Sequence, residues 1–176
     1  MTKEIKTLQL DKVEKNLGYK LLRNTKVLGL DTASKTGYAI LTTNGKTLKI
    51  NVGFIDVKSS DIYYKYDEII KYFRKLIDNS YNSIIVEDTF YSFNAWTFKM
   101  LTRIGSFAYV IAKENECKDI RLITASHARK EIGLKGNAKK PELVLEINRI
   151  LELEIKTNDI TDAIILALNG LIDKGK

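Results

Sequence analysis

Two short apolar runs along the chain each stop at an acid. Val27-Leu28-Gly29-Leu30 ends at Asp31, and Ile84-Ile85-Val86 ends at Glu87. Apolar runs of this length without alternation predict strands buried on both faces. Gly37–Thr43 predicts a second strand after Asp31, Asn44-Gly45 a hairpin turn, and Leu48–Ile55 a returning third strand. The run at Lys26–Thr32 is then the first strand of an antiparallel meander. Over 61–79 the apolar residues switch to helical spacing (Ile62, Tyr66, Ile69, Phe73, Leu76, Ile77), with lysines on the other face. A second long helix is expected over 94–115 and a strand over Arg121–Thr124. Ser126 is the expected N-cap of a brief turn through Arg129. A Gly- and Lys-bearing loop covers Gly133–Lys140. Pro141 suits N1 of a helix running to about Leu153, and Asn158 is the expected cap of the last, mostly apolar helix. Near the start, Leu10, Val13, Leu17 and Leu21 predict a short amphipathic helix or docking arm. The order β-β-β-α-β-α-β-α-α makes this an α/β protein: a mixed sheet of about five strands flanked by helices.

Length and composition add bounds. At 176 residues with ten unclustered Gly and a single Pro, one domain is the simplest reading. The lone Cys117 has no internal disulfide partner, and no Cys/His cluster suggests zinc. The N-terminus lacks an apolar leader segment, and no run approaches a membrane span, so a cytoplasmic protein is expected. The net charge of +7 is uneven. Residues 1–26 hold seven Lys/Arg against three Asp/Glu, and 118–140 hold seven against two. Clustered base of this kind is the electrostatic footprint expected for a phosphate backbone.

Against that basic background the placement of acids matters. Asp159 and Asp162 are i and i+3 at the start of the last helix, so both project from one side of its first turn. Asp31 and Glu87 supply the opposite wall if their strands are adjacent. Ionised carboxylates favoured by a helix N-terminus are the oxygen donors that Mg²⁺ or Mn²⁺ requires. Two such ions could activate water and stabilise a leaving 3′ oxygen in phosphodiester hydrolysis. The loop with Arg129, Lys130, Lys135, Lys139 and Lys140 lies between a strand and the acidic helix, where cations can hold the scissile phosphate. His127 reads as a structural or capping residue. Ser34 and Thr36 read as shaping the turn after Asp31.

Three segments together resemble the RuvC-like Holliday-junction resolvases of the RNase H-like superfamily, with the phage-encoded branch as the nearest match. They are Leu28-Gly29-Leu30-Asp31-Thr-Ala-Ser34-Lys-Thr-Gly37-Tyr38, Val86-Glu87-Asp88-Thr89-Phe90 and Asp159-Ile-Thr-Asp162-Ala163. The resemblance runs from about Lys26 to Leu168. It implies an RNase H-like fold and a nuclease domain over 26–176, preceded by a basic N-terminal extension of 1–25. It implies Asp31, Glu87, Asp159 and Asp162 as Mg²⁺-binding catalytic acids, with Mn²⁺ as a substitute and Lys140 as a basic residue at the active site. Arg129 matches another family basic residue, with Lys130 as an alternative register. The implied activity is that of a homodimer nicking two opposed strands of a four-way junction to leave 5′ phosphates, with forks and flaps as further substrates. Phe90 falls where the family places an aromatic that wedges into the junction. Rings there suit unpaired bases. Trp96 and Phe98, from the same aromatic-rich stretch, are expected in the core or a dimer interface, and the helix from Asn94 is the implied dimer contact.

The chain departs from the family in two places. Thr32-Ala33 stands where the family often has Pro-Gly, so that turn must differ. The family also usually begins at the first strand. Two other readings remain: a nonenzymatic branched-DNA-binding module with structural acids, and an actin-like or sugar-kinase ATPase. The second is disfavoured by a chain too short for two lobes and by the lack of a second glycine-bearing phosphate loop.

Overall fold

The computed structural model describes residues 3–33, 35–89 and 94–175. A central mixed sheet has the order β1-β4-β3-β2-β5-β6. Its strands are β1 (Lys3–Gln9), β2 (Lys26–Asp31), β3 (Thr36–Thr43), β4 (Thr47–Ile55), β5 (Ser83–Glu87) and β6 (Asp119–Ile123). β5 runs parallel to β2 and β6 parallel to β5, while β1 through β2 pair antiparallel. The expected meander is present. Its turn spans Asn44 to Lys46, and the Asn44 carboxamide oxygen accepts from the backbone N–H groups of Lys46 and Thr47, both at 2.7 Å.

The sheet has six strands rather than five, because residues 3–9 add an edge strand paired with β4. Lysines and threonine interrupt Ile5 and Leu8, as befits an edge, so no apolar run announced it. The helix expected from Leu10, Val13, Leu17 and Leu21 is shorter: α1 spans Leu10–Leu17 and stops at Gly18, whose φ of 81° is left-handed. Much of the base in this segment is already paired. Lys12 meets Glu152 at 2.6 Å, and Lys20 and Arg23 meet the buried Glu14 at 2.9 and 2.6 Å. Glu14 also accepts from the Leu21 backbone, and the Arg23 guanidinium foremost holds its carboxyl down to about 2.

Among the described residues five further helices follow: α2 (Ile62–Leu76), α3 (Ala95–Glu114), α4 (Ala125–Glu131), α5 (Lys140–Leu151) and α6 (Asn158–Leu171). No described helix is long and apolar enough to cross a membrane. Three helix starts differ from expectation. Thr124 rather than Ser126 caps α4, its Oγ1 accepting from His127 N at 3.3 Å. Pro141 takes the second helical position of α5, behind Lys140. Thr157 rather than Asn158 is the N-cap of α6, holding its first turn through its carbonyl, which accepts from Thr161 N and Oγ1.

Strand alternation divides the core in two. Val27, Ala39, Leu41 and Ile85 face a layer of α1, α4, α5 and α6. Leu28, Leu30, Ile84 and Val86 face α2 and α3. The same alternation puts Asp31 and Glu87, which share the parity of Val27 and Ile85, on the α6 side.

Helix α6 lies directly on β2 because glycine is there. A Cβ at Gly29 would stand 2.2 Å from the Ala163 carbonyl oxygen and 2.6 Å from Ala167 N. At Gly37 it would stand 2.5 Å from the Asp159 carbonyl oxygen. No larger residue permits this approach, and the approach sets where the first turn of α6 comes to rest.

Candidate active site

Asp31, Glu87, Asp159 and Asp162 line one cleft of about 320 Å³ at the end of the sheet where β2 and β5 finish. Asp31 closes β2 opposite Gly37, and Glu87 closes β5. Asp159 and Asp162 come from the first turn and a half of α6. The lead-in to that helix is fixed by Asn148. Its carboxamide donates to the Ile155 carbonyl and accepts from Ile155 N, both at 2.9 Å. Nothing in the sequence pattern singled out Asn148, since an amide on a helix surface has no motif.

The turn after Asp31 is tightly held despite the absence of Pro-Gly. Ala33 N donates to the Asp31 carbonyl at 2.9 Å, and Thr32 Oγ1 donates to the Glu87 carbonyl at 3.3 Å. Thr36, 1% exposed, donates to the Ala33 carbonyl at 3.3 Å. Thr36 thus shapes this turn as expected, and Ser34 lies outside the described residues.

Asp31 and Asp162 are 6% and 7% exposed. Burial first, and then the neighbouring Glu87, Asp162 and Asp159 carboxyls, push the Asp31 carboxyl up to about 9. Asp162 is placed differently, with a cation against each oxygen. Arg129 Nη2 donates to Oδ1 at 3.0 Å, and Lys140 Nζ stands 3.9 Å from Oδ2. Arg129 is itself steadied by a 3.5 Å bond from Nη1 to the Gly136 carbonyl.

Of the expected basic residues, Arg129 and Lys140 line the cleft. Lys130 lies in α4, Lys135 in the connection after it and Lys139 at the N-cap of α5, none of them in the cleft lining. Phe90 lies outside the described residues. Trp96 does not pack in the core, being 61% exposed on α3. His127 completes the α4 cap through its backbone N–H, and its Nε2 lies 3.3 Å from Glu131. Thr89 and Leu101 also line the cleft and carried no chemical signal in the sequence.

Among the described residues, the candidate metal donors lining this cleft are carboxylates, with no Cys or His. Oxygen donors suit a hard divalent cation. A carboxyl pushed up by burial and by three neighbouring acids is also one whose charged form a bound cation would favour. Among the described residues, no three acidic, His or Cys side chains converge closely enough to form a ready-made ligand group. Asp162, for its part, is engaged by Arg129.

Comparisons with known proteins bear on the fold and the family. The family described as crossover junction endodeoxyribonuclease RuvC matches residues 27–169. RuvC of Thermus thermophilus superposes with a TM-score of 0.65 at 15% identity, covering 82% of this chain and 92% of that one. The T. thermophilus RuvC in complex with a Holliday junction substrate gives 0.68 at 15% identity, covering 82% and 91%. The yeast mitochondrial Holliday junction resolvase gives 0.58 at 13% identity, covering 89% and 82%. At these identities the likeness is one of fold. No curated protein matches the chain at a significant level.

Proposed function

The chain belongs to the RuvC family of crossover junction endodeoxyribonucleases, and we propose that it is a Mg²⁺-dependent endonuclease that resolves four-way DNA junctions. The observation that carries the reading is the meeting of carboxylates from β2, β5 and α6 in one cleft, with Arg129 and Lys140 on its wall. In this reading Asp31, Glu87, Asp159 and Asp162 hold the divalent ions, with Mn²⁺ able to replace Mg²⁺. Bound there, the ions supply Lewis-acid polarisation of the phosphoryl group and charge neutralisation at the leaving oxygen.

The protein's own groups do the rest. Lys140, its side chain more than half exposed and its ammonium only loosely paired with Asp162 at 3.9 Å, is placed to meet the phosphate that enters the cleft. Arg129 is nearly buried, so its role is to hold Asp162 in orientation rather than to grip DNA. Water adds to phosphorus, the P–O3′ bond breaks, and the products are a 5′ phosphate and a 3′ hydroxyl. Two opposed strands are cut by the two subunits of a homodimer. The exposed Trp96 on α3 supports a partner at that helix, with depletion of solvent around a large ring as the driving force. Phe90, three residues beyond Glu87, is assigned to wedging the junction open. Lys130, Lys135 and Lys139 are assigned to the phosphates of the arms. Forks and flaps are further substrates of the same cleft.

Cleavage of a synthetic four-way junction tests the assignment. With Mg²⁺ the wild type should give paired nicks bearing 5′ phosphates. Asp31→Asn should bind the junction and fail to cut it. Equal nicking by Asp31→Asn would overturn the reading.

A further inference from the structure

The cleft has basic side chains on one wall. Arg129 and Lys140 come from α4 and α5, and α4 leaves the sheet one residue after β6. The other wall is the turn after Asp31, where Thr32 and Ala33 line the cleft and Lys35 follows. The Lys35 ammonium sits 3.8 Å from the centroid of the Phe54 ring. Phe54 lies on β4 and pairs with Gly37, against which the Asp159 backbone rests. Lys35 is therefore perched beside the start of α6, on the opposite flank from Arg129. The strand order gives the span. Four strand spacings separate β4 from β6, which is roughly 19 Å at about 4.8 Å each.

Resting on the nuclease reading above, we propose that Lys35 is a second-flank phosphate site, which holds the DNA backbone where it leaves the cleft on the side away from Lys140. Three features carry it. The residues that flank Lys35 are tied down, Thr32 to the Glu87 carbonyl and Thr36 to the Ala33 carbonyl, and Thr36 opens β3 directly after Lys35. Among the described residues no carboxylate forms an ion pair with Lys35, whose ammonium meets the Phe54 ring instead. The Phe54 face orients the ammonium without neutralising it, since a ring quadrupole attracts the cation yet carries no net charge. A polyanion crossing a cleft of four acids needs cations on both sides, and this flank offers Lys35. Phosphate contacts of this kind fix register rather than read sequence.

The test is binding of a four-way junction in Ca²⁺, as a function of salt, by wild type and two variants. Lys35→Met keeps an unbranched apolar stem on Phe54 and removes the charge. It should weaken binding roughly three- to tenfold and lower the log K against log salt slope by about 1. Lys35→Arg should restore both. Thermal melts of each variant report the loss of the Phe54 contact separately. Weaker binding with an unchanged salt slope would assign Lys35 to packing and overturn the proposal, as would wild-type affinity in Lys35→Met. If the wild type binds no branched DNA at all, the nuclease reading falls first and the Lys35 site with it. Normal binding by wild type and by Lys35→Met sinks the Lys35 site alone.

Discussion

Arg129 and Asp162, 33 residues apart in sequence, meet through a 3.0 Å hydrogen bond from Nη2 to Oδ1, with side chains 14% and 10% exposed. The bond ties α4 to the acid-bearing turn of α6 and claims one oxygen of a proposed metal ligand. Arg129→Ala should leave Asp162 free to rotate. Single-turnover cleavage in Mg²⁺ is expected to fall about 10²-fold, the usual consequence of a misplaced reacting group. Junction affinity should change less than tenfold. Arg129→Lys should recover little, because an ammonium lacks the planar fork that bonds Asp162 and the Gly136 carbonyl together. Full activity in Arg129→Ala would show that Asp162 needs no such tether.

Asp31 makes the metal-free protein sensitive to pH. Folding raises its carboxyl from 3.8 to about 9, so the folded state binds the extra proton across that window. Stability of the metal-free protein should fall as pH rises from about 4 toward 9. Asp31→Asn removes the ionisation and should stabilise the metal-free protein at neutral pH by at least about 1 kcal/mol, worth roughly 2–4 °C in Tm. Mg²⁺ should raise the Tm of wild type and leave that of Asp31→Asn nearly unchanged. Scanning calorimetry with EDTA and with Mg²⁺ reads all of this, and a lower Tm for Asp31→Asn in EDTA would contradict it.

Two glycines should separate folding from site geometry. Gly29→Ala pushes a methyl against the backbone of the middle of α6, at Ala163 and Ala167, and should cost about 2 kcal/mol or more in urea unfolding. Gly37→Ala meets the Asp159 carbonyl instead, at the acid-bearing end of the same helix. Its stability cost should be similar or smaller. Its cleavage rate should fall further than that of Gly29→Ala, measured below both melting transitions. Equal activity in the two variants would mean that the first turn of α6 adjusts freely.

The parts of this molecule that could be read from the sequence follow from periodicity. Asp31 and Glu87 end apolar runs, so their strands had to be central. Strand alternation then fixed their face, and Asp159 and Asp162 had a helical spacing that placed them together. The contacts that complete the site have no such period. Arg129 was marked by its charge in a basic loop, but its partner depended on how α4 packs on α6. Asn148 acts on a backbone seven residues away through a loop. Strand β1 was hidden because an edge strand needs few apolar residues, and its partner β4 lies some 40 residues downstream. The choice of Thr124 over Ser126 as a cap turned on two hydroxyls two residues apart, which composition does not separate.

The N-terminal segment illustrates the same limit through charge, and it supplies a stability test. Its base suggested a nucleic-acid surface, yet Lys20 and Arg23 close on Glu14, which is 5% exposed in α1. Leu21 N adds a third bond to that carboxylate at 2.8 Å. The cluster joins α1 to residues 20–23, and residues 20–22 in turn pair with the end of α6. Leu22 N donates to the Leu171 carbonyl, and Asp173 N to the Lys20 carbonyl. Folding lowers the Glu14 carboxyl from 4.5 to about 2, so its stabilisation is complete above pH 4.5 and is lost as pH falls through 2. Glu14→Gln keeps the shape and removes the charge, leaving Arg23 without its main partner. It should cost about 2 kcal/mol at pH 7, discounted from the 3–5 kcal/mol of a fully buried pair because Arg23 and Lys20 are partly exposed. The difference between wild type and Glu14→Gln should shrink as the pH is lowered from 4.5 to 2. Urea unfolding at several pH values measures it, and a constant difference across that range would show that the Glu14 charge contributes nothing to the clasp.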